Sequence, residues 1–320
     1  NVKAVLVGTK TGGNVSFAAK LGAFLCECEK LGDVVGDNKG FFSTKNTILD
    51  LALGAHPQMV GLGEAARILD RPAAGEEHRG PAQLRGDLRF QRRCTCGTLA
   101  AECPVWGPML TWLPAHEAQP LADKMQMLLT VVEADSEAAP SWVVDSYQGD
   151  FVLPFHQDDD LEIRILHLTR DLRSWVHSRS RDGRQRGQWL PGVKPLLRWC
   201  RINARHERWL RRCGKPVFRL GYEELALQPE PSLRRLCAWL EIPFDTRMLE
   251  PACHSSSHVL SGNRLRFDPE RSGAIRYDGS WMAAPAGLAQ LALALPWVAA
   301  LNRRLVYSEA LAESDGPRKR

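Results

Sequence analysis

No stretch of these 320 residues is long and apolar enough to cross a membrane. The longest mostly apolar run, Ala283–Leu301, is interrupted by Pro285, Gln290 and Pro296 and meets Asn302-Arg303-Arg304, so it reads as core helix. No secretory signal opens the sequence, and no internal repeat runs through it. The nine cysteines (26, 28, 94, 96, 103, 200, 213, 237 and 253) are odd in number and scattered. That excludes the evenly spaced framework of a small disulfide-stapled domain and suits a reducing compartment, so the cytoplasm is the expected location. No GxxxxGK[ST] occurs, so there is no ready-made magnesium-nucleotide loop. Nor is there the aromatic-basic interleaving of a known nucleic-acid module.

What is present suits a folded protein with a large core: 44% hydrophobic and 25% charged residues. The net charge of +5 is unevenly spread. Residues 164–215 hold 15 Lys/Arg against 3 Asp/Glu, a local +12, which leaves 27 against 34, or −7, elsewhere. A local field of this kind suits a small polyanion or nucleic acid, the plainer alternative being a solvated helical face.

The most informative stretch is Leu161–Arg181. Its first half alternates as a buried strand with Arg170 at the carboxyl end. Asp171 is a candidate N-cap for a helix over Leu172–Arg181, and Ser174 and Ser178 share one face of it. Ligands of open α/β sheets bind outside such strand ends, where the helix adds its positive pole. Val2–Val7 and Ser141–Asp145 are further strands, followed by Gly8–Asn14 and by Asp145-Ser146. Strands alternating with helices predict a doubly wound, mostly parallel, P-loop-like α/β sheet in one domain over 1–307, with a disordered tail over 308–320. Two loops compete to cradle a phosphate: Lys10-Thr11-Gly12-Gly13-Asn14, and Ser43-Thr44-Lys45-Asn46-Thr47 before the helix 48–54. Glu64 follows the short strand Met59–Leu62 and is either a general base or a helix-terminal acid. Residues 71–92 are expected to be an exposed insertion. Cys94-Thr95-Cys96-Gly97 with Cys103 is a zinc-ligand pattern without a fourth ligand nearby. His78 or Cys253 reaches it only through the fold; free thiols or a disulfide are the alternatives. His177, His254 and His258 are expected to be surface or core histidines.

Several of these pieces, in this order, resemble the sulfotransferases that use 3′-phosphoadenylyl sulfate, in particular the bacterial-type members and the tyrosylprotein branch. Arg170-Asp171 with Ser178 eight residues after the arginine looks like the family's 3′-phosphate motif. Phe218–Phe244 looks like its tyrosine-glutamate segment and following helix, and Ser261–Phe267 (SGNRLRF) like its late glycine-asparagine loop. Gly54–Glu64, Cys94–Trp106 and Leu301–Tyr307 also look like family elements.

The resemblance implies sulfuryl transfer from 3′-phosphoadenylyl sulfate to a hydroxyl, with no metal required. It implies Lys10 at the leaving phosphate with Thr11, Gly12, Gly13 and Asn14, and Glu64 as base. It further implies Arg170 and Ser178 on the 3′-phosphate, with Tyr222, Gly262, Asn263 and Arg266 on the nucleotide side. The acceptor is a small-molecule, carbohydrate or peptide hydroxyl, and neither nucleic acid nor a membrane span is expected.

Two departures stand out. The family's loop, K/R-S-G-T/S-T, is matched only in its first half by Lys10-Thr11-Gly12, and it lies too far from Gly54–Glu64. Leu21-Gly22-Ala23 recurs as Leu53-Gly54-Ala55, so 24–55 is read as an insertion; 71–140 is a second one, on the acceptor side. The lysine that often follows the family's Asp-Ser pair is here replaced by Tyr147. Alternative readings are a small-molecule kinase, a catalytically weakened nucleotide binder, and a non-catalytic anion or nucleic-acid binder.

Overall fold

The computed structural model describes residues 2–9, 44–69, 92–135, 140–146, 161–185, 192–260, 267, 273–283 and 288–307. Five strands are described: β1 (Val2–Thr9), β2 (Met59–Gly61), β3 (Trp142–Asp145), β4 (Leu161–Thr169) and β5 (Val217–Gly221). They form one sheet in the order β2-β3-β1-β4-β5.

β2 pairs parallel to β3, and β4 parallel to β5. β1 lies between the two pairs and is antiparallel to both its neighbours. Four strands therefore end at one edge, while β1 ends at the other. Thr9 pairs with Leu161 at the start of β4, and Val2 with Leu168 near its end. This corrects the expectation of a mostly parallel sheet in which β1 and β4 end at the same edge. Alternating apolar residues specify a strand but carry no direction, so VKAVLV fits the sheet equally well reversed.

Helices cover both faces, as expected for a doubly wound sheet. One face holds α1 (Thr44–Gly54) together with α7 (Tyr222–Leu227) and α8 (Pro229–Trp239). Leu49 and Leu53 pack there with Trp142, Val144, Leu166, Leu168, Phe218 and Leu220. On the other face, α2 (Ala65–Leu69), α3 (Trp106–Trp112) and α4 (Leu121–Asp135) pack on Val143 and Ile163. The alternation of Val143 against Val144 and of Ile165 against Leu166 is the strand pleat sorting side chains to opposite faces.

The basic stretch folds into α5 (Leu172–Gln185) and α6 (Val193–Arg212). Both pack with α10 (Leu288–Ala292) and α11 (Pro296–Val306). The short α9 (Pro251–His254) lies against α1. Among the described residues, no helix is long and apolar enough to cross a membrane.

Both expected insertions contribute to this core. In 24–55, α1 buries Ile48, Leu49, Ala52 and Leu53, so at least 44–54 is integral to the sheet. In 71–140, Trp106, Met109, Met125 and Leu128 are buried on the second face. Residues 10–43, 71–91 and 308–320 lie outside the described residues.

Candidate active site

The edge where β2, β3, β4 and β5 end collects the polar residues. Arg170 follows β4 with its guanidinium largely buried. Its Nε donates to Ser174 Oγ at 2.7 Å, and its Nη2 meets the half-exposed Asp278 carboxylate at 3.3 Å. The guanidinium lies 5.9 Å from the Tyr222 ring centroid, and Trp199 Nε1 holds the Arg170 carbonyl at 2.9 Å. Burial pulls the guanidinium below its ordinary pKa, against the opposing pull of Glu223 and Asp278. A partly desolvated cation of this kind favours an added anion.

Asp171 caps α5, as its sequence position predicts: Arg173 N–H donates to its Oδ1 at 2.8 Å. The same carboxylate takes the Arg173 guanidinium at 2.9 Å, Asn302 Nδ2 at 2.9 Å and the Tyr307 hydroxyl at 3.3 Å. Burial works to raise the Asp171 pKa, but Arg173 and Asn302 outweigh it and hold the carboxyl below the usual range. The Asp171 and Leu172 N–H groups donate to Glu223 Oε2 and Asn302 Oδ1, both at 2.9 Å. Ser174 Oγ donates to Glu223 Oε1 at 2.6 Å. Burial raises the Glu223 carboxyl against these donors. Ser178 stands half-buried one turn beyond Ser174 on the same helix face.

Tyr222 begins α7 directly after β5. Its hydroxyl donates to the Arg276 carbonyl at 2.7 Å, and burial, opposed by Arg170, pushes its pKa up to about 12. Glu64 stands at the end of β2, after Gly63 in the left-handed conformation with φ 64°. Ser146 N–H donates to the Gly63 carbonyl at 2.6 Å, and Asp145 Oδ1 accepts from Ala66 N–H at 3.2 Å, so the β2 and β3 ends are tied together. Two intervening strands place the Glu64 and Arg170 ends about 14 Å apart along the edge.

The two candidate phosphate loops are placed differently. Lys10, Thr11, Gly12, Gly13 and Asn14 lie outside the described residues, and β1 leads toward the edge opposite Arg170. Thr44–Thr47 form the first turn of α1. Gly54, at the other end of α1, is separated from the start of β2 by four residues. The Asp50 carbonyl lies within 3.3 Å of where a Cβ on Gly61 would stand. So the last turn of α1 lies beside the end of β2. Gly262, Asn263, Arg264 and Arg266 are outside the described residues.

Residues that sequence reasoning left without a role also meet here. Asp278 and Asn302 reach the β4 end from 108 and 131 positions away, and no local pattern announces them. Glu223 was legible as the second residue past a parallel strand. The basic excess is partly consumed by structure. Arg164 pairs with Glu162 at 2.6 Å and Glu241 at 2.7 Å, and Arg173 pairs with the buried Asp171 at 2.9 Å.

Beside the end of β2, Cys94, Cys96 and Cys103 gather with His258, which the sequence had marked only as a core or surface residue. One ligand atom from each lies within 4.8 Å of all the others. Cys253 is exposed and stands apart from this group, and His78 is outside the described residues.

The family model described as the sulfotransferase family matches residues 162–246, from β4 to just past α8. Two solved structures are similar in chain path. One is the sulfotransferase domain of the olefin synthase of Synechococcus PCC 7002, with 19% identity over 79% of this chain and 90% of that one, and a TM-score of 0.48. The other is the sulfotransferase domain of the curacin biosynthetic pathway, with 16% identity over 80% of this chain and 95% of that one, and a TM-score of 0.48. No curated protein matches the chain.

Proposed function

We propose that this chain, which resembles the sulfotransferases over residues 162–246, transfers a sulfuryl group from 3′-phosphoadenylyl sulfate to an acceptor hydroxyl. The observation that carries the reading is Arg170. It is a partly buried guanidinium at the carboxyl end of a parallel strand, inside the matched segment, eight residues before Ser178 on the following helix. A planar fork of donors suits a phosphate monoester, and the Ser178 hydroxyl supplies a further donor. In this reading Tyr222 packs beside the nucleotide, and Gly262, Asn263 and Arg266 close over it.

Lys45, at the first turn of α1, is the better candidate for the phosphosulfate than Lys10, because β1 ends at the edge opposite Arg170. The acceptor oxygen attacks sulfur in line as the bond to the bridging oxygen breaks. Adenosine 3′,5′-bisphosphate leaves with the electron pair, and the acceptor's proton passes to Glu64. Catalysis then rests on positioning and on neutralising the leaving phosphate.

The test is a thermal shift of the whole chain with adenosine 3′,5′-bisphosphate, repeated on Arg170→Ala. At a hundred times Kd the parent should gain about 2.7 kcal/mol. The variant should gain nothing at the same concentration. A parent that is not stabilised defeats the nucleotide site; a variant stabilised equally defeats the role of Arg170. Transfer that proceeds unchanged when magnesium is omitted separates this reading from a magnesium-dependent kinase.

A further inference from the structure

We infer that Cys94, Cys96, Cys103 and His258 bind one zinc ion, a site that stands independently of the sulfuryl-transfer reading. Three thiols and an imidazole from segments 155 or more residues apart meet within 4.8 Å. Tetrahedral zinc with Zn–S of about 2.3 Å and Zn–N of about 2.0–2.1 Å separates two sulfurs by about 3.8 Å and a sulfur from a nitrogen by about 3.5 Å. Here Cys94 Sγ and Cys103 Sγ are 3.7 Å apart, and Cys103 Sγ is 3.3 Å from His258 Nδ1.

The backbone around the cysteines is shaped for this purpose. Arg93 and Leu99 form a β-bridge, and Cys94 N–H donates to the Thr98 carbonyl at 2.9 Å. Gly97 closes the turn with φ 94°, a conformation open to glycine at little cost, and the turn presents Cys94 and Cys96 together. Trp106 N–H donates to Cys103 Sγ at 3.4 Å, which favours the thiolate that zinc requires. His258 turns Nδ1 to the sulfurs, while its Nε2 faces the Asp135 carboxylate at 3.8 Å. A carboxylate behind the second ring nitrogen is the usual orienting partner of a metal-bound histidine.

Four protein ligands leave no open coordination position, so the ion is structural rather than catalytic. What it fastens is the segment 256–260. Ser256 N–H donates to the Gly54 carbonyl at 2.9 Å, and His258 N–H to the Gly61 carbonyl at 2.7 Å. Ser257 fills the space over Gly54 and Gly61, where a Cβ on either glycine would meet its hydroxyl. The zinc thereby clamps the end of α1 and β2 to the segment that enters residues 261–266.

The decisive measurement is metal content of the full chain purified under reducing conditions, by mass spectrometry of the elements. We expect one zinc per chain in the parent and in Cys253→Ser, and less than a tenth in His258→Ala. His258→Cys, which restores a fourth ligand, should recover it, and this separates ligand loss from misfolding. After chelation the apo chain should rebind one zinc ion, or one cobalt ion with the visible bands of tetrahedral thiolate coordination. Asp135→Asn should weaken zinc binding about 10- to 100-fold. A reduced parent that neither carries nor rebinds zinc overturns the site. So does a Cys94–Cys103 disulfide in the native chain, or equal zinc in His258→Ala.

Discussion

Removing the Asp171 carboxylate tests whether the β4–α5 junction is held by the network seen around it. The side chain is fully buried and accepts from the Arg173 backbone, the Arg173 guanidinium, Asn302 and Tyr307. In Asp171→Ala the lost N-cap costs about 1 kcal/mol. The buried Asn302 amide, left without its acceptor, adds about 1–3 kcal/mol. Arg173 is 29% exposed and re-solvates, so its ion pair adds at most about 1 kcal/mol. The expected total is about 2–5 kcal/mol, read as a fall in the urea midpoint at unchanged slope. Asp171→Asn keeps an acceptor for the Arg173 N–H but turns an amide group toward Asn302 and Tyr307, so about 2 kcal/mol should be lost. The acid limb supplies a second readout. The Asp171 pKa is lower in the folded state than its unfolded value of 3.8. Its stabilising contribution is therefore complete above that value and disappears as pH falls through the folded one. Asp171→Ala should be destabilised at neutral pH and should lose less further stability on acidification than the parent. If both variants stay within about 0.5 kcal/mol of the parent, the network does not carry the junction.

Other perturbations address the site and the fold. Asp278→Ala frees the Arg170 guanidinium from an exposed carboxylate, so adenosine 3′,5′-bisphosphate should bind up to about five-fold more tightly by calorimetry; weaker binding would show that Asp278 builds the site instead of competing for it. Glu64→Gln should lower the transfer rate about 10²- to 10⁴-fold with nucleotide affinity unchanged, and an unchanged rate removes Glu64 as the base. Gly221→Ala would set a methyl 1.8 Å from the Val306 carbonyl oxygen, a backbone atom, so the β5–α11 contact must open at a cost of about 1–3 kcal/mol in urea unfolding; a stable variant would mean that α11 shifts freely.

How much of this was legible depended on how local each signal is. The β4 junction was readable because strand, arginine, cap and helix are contiguous in LEIRILHLTRDLRSWVHSRSR. Each of these elements is specified by side-chain period or capping chemistry within a few residues. The covering of both sheet faces was readable from the alternation of strands and helices. The direction of β1 was not, because an alternating strand looks the same from either end. Its reversal puts the end of β1 at the edge opposite Arg170. The repeated Leu-Gly-Ala suggested that 24–55 is an insertion; its last part, α1, buries Leu49 and Leu53 against the sheet, which no local pattern foretold.

The zinc cluster shows the same limit from the other side. The turn Cys94–Gly97 and Cys103 were visible as three ligands in search of a fourth. His258 lies 155 positions beyond Cys103, and its segment is brought there by hydrogen bonds with Thr95 and Trp106 and by the backbone bonds of Ser256 and His258 to Gly54 and Gly61. Those bonds need close backbone approach, which Gly54 and Gly61 permit because neither carries a Cβ to displace Ser257. The two glycines, read in the sequence as the end of a helix and a residue of the short strand Met59–Leu62, thus help to set where His258 stands. Residues 54–64 accordingly serve two structures at once. They carry Glu64 to the sheet edge, and they provide the floor on which the 256–258 segment, and the imidazole offered to the zinc, is fixed.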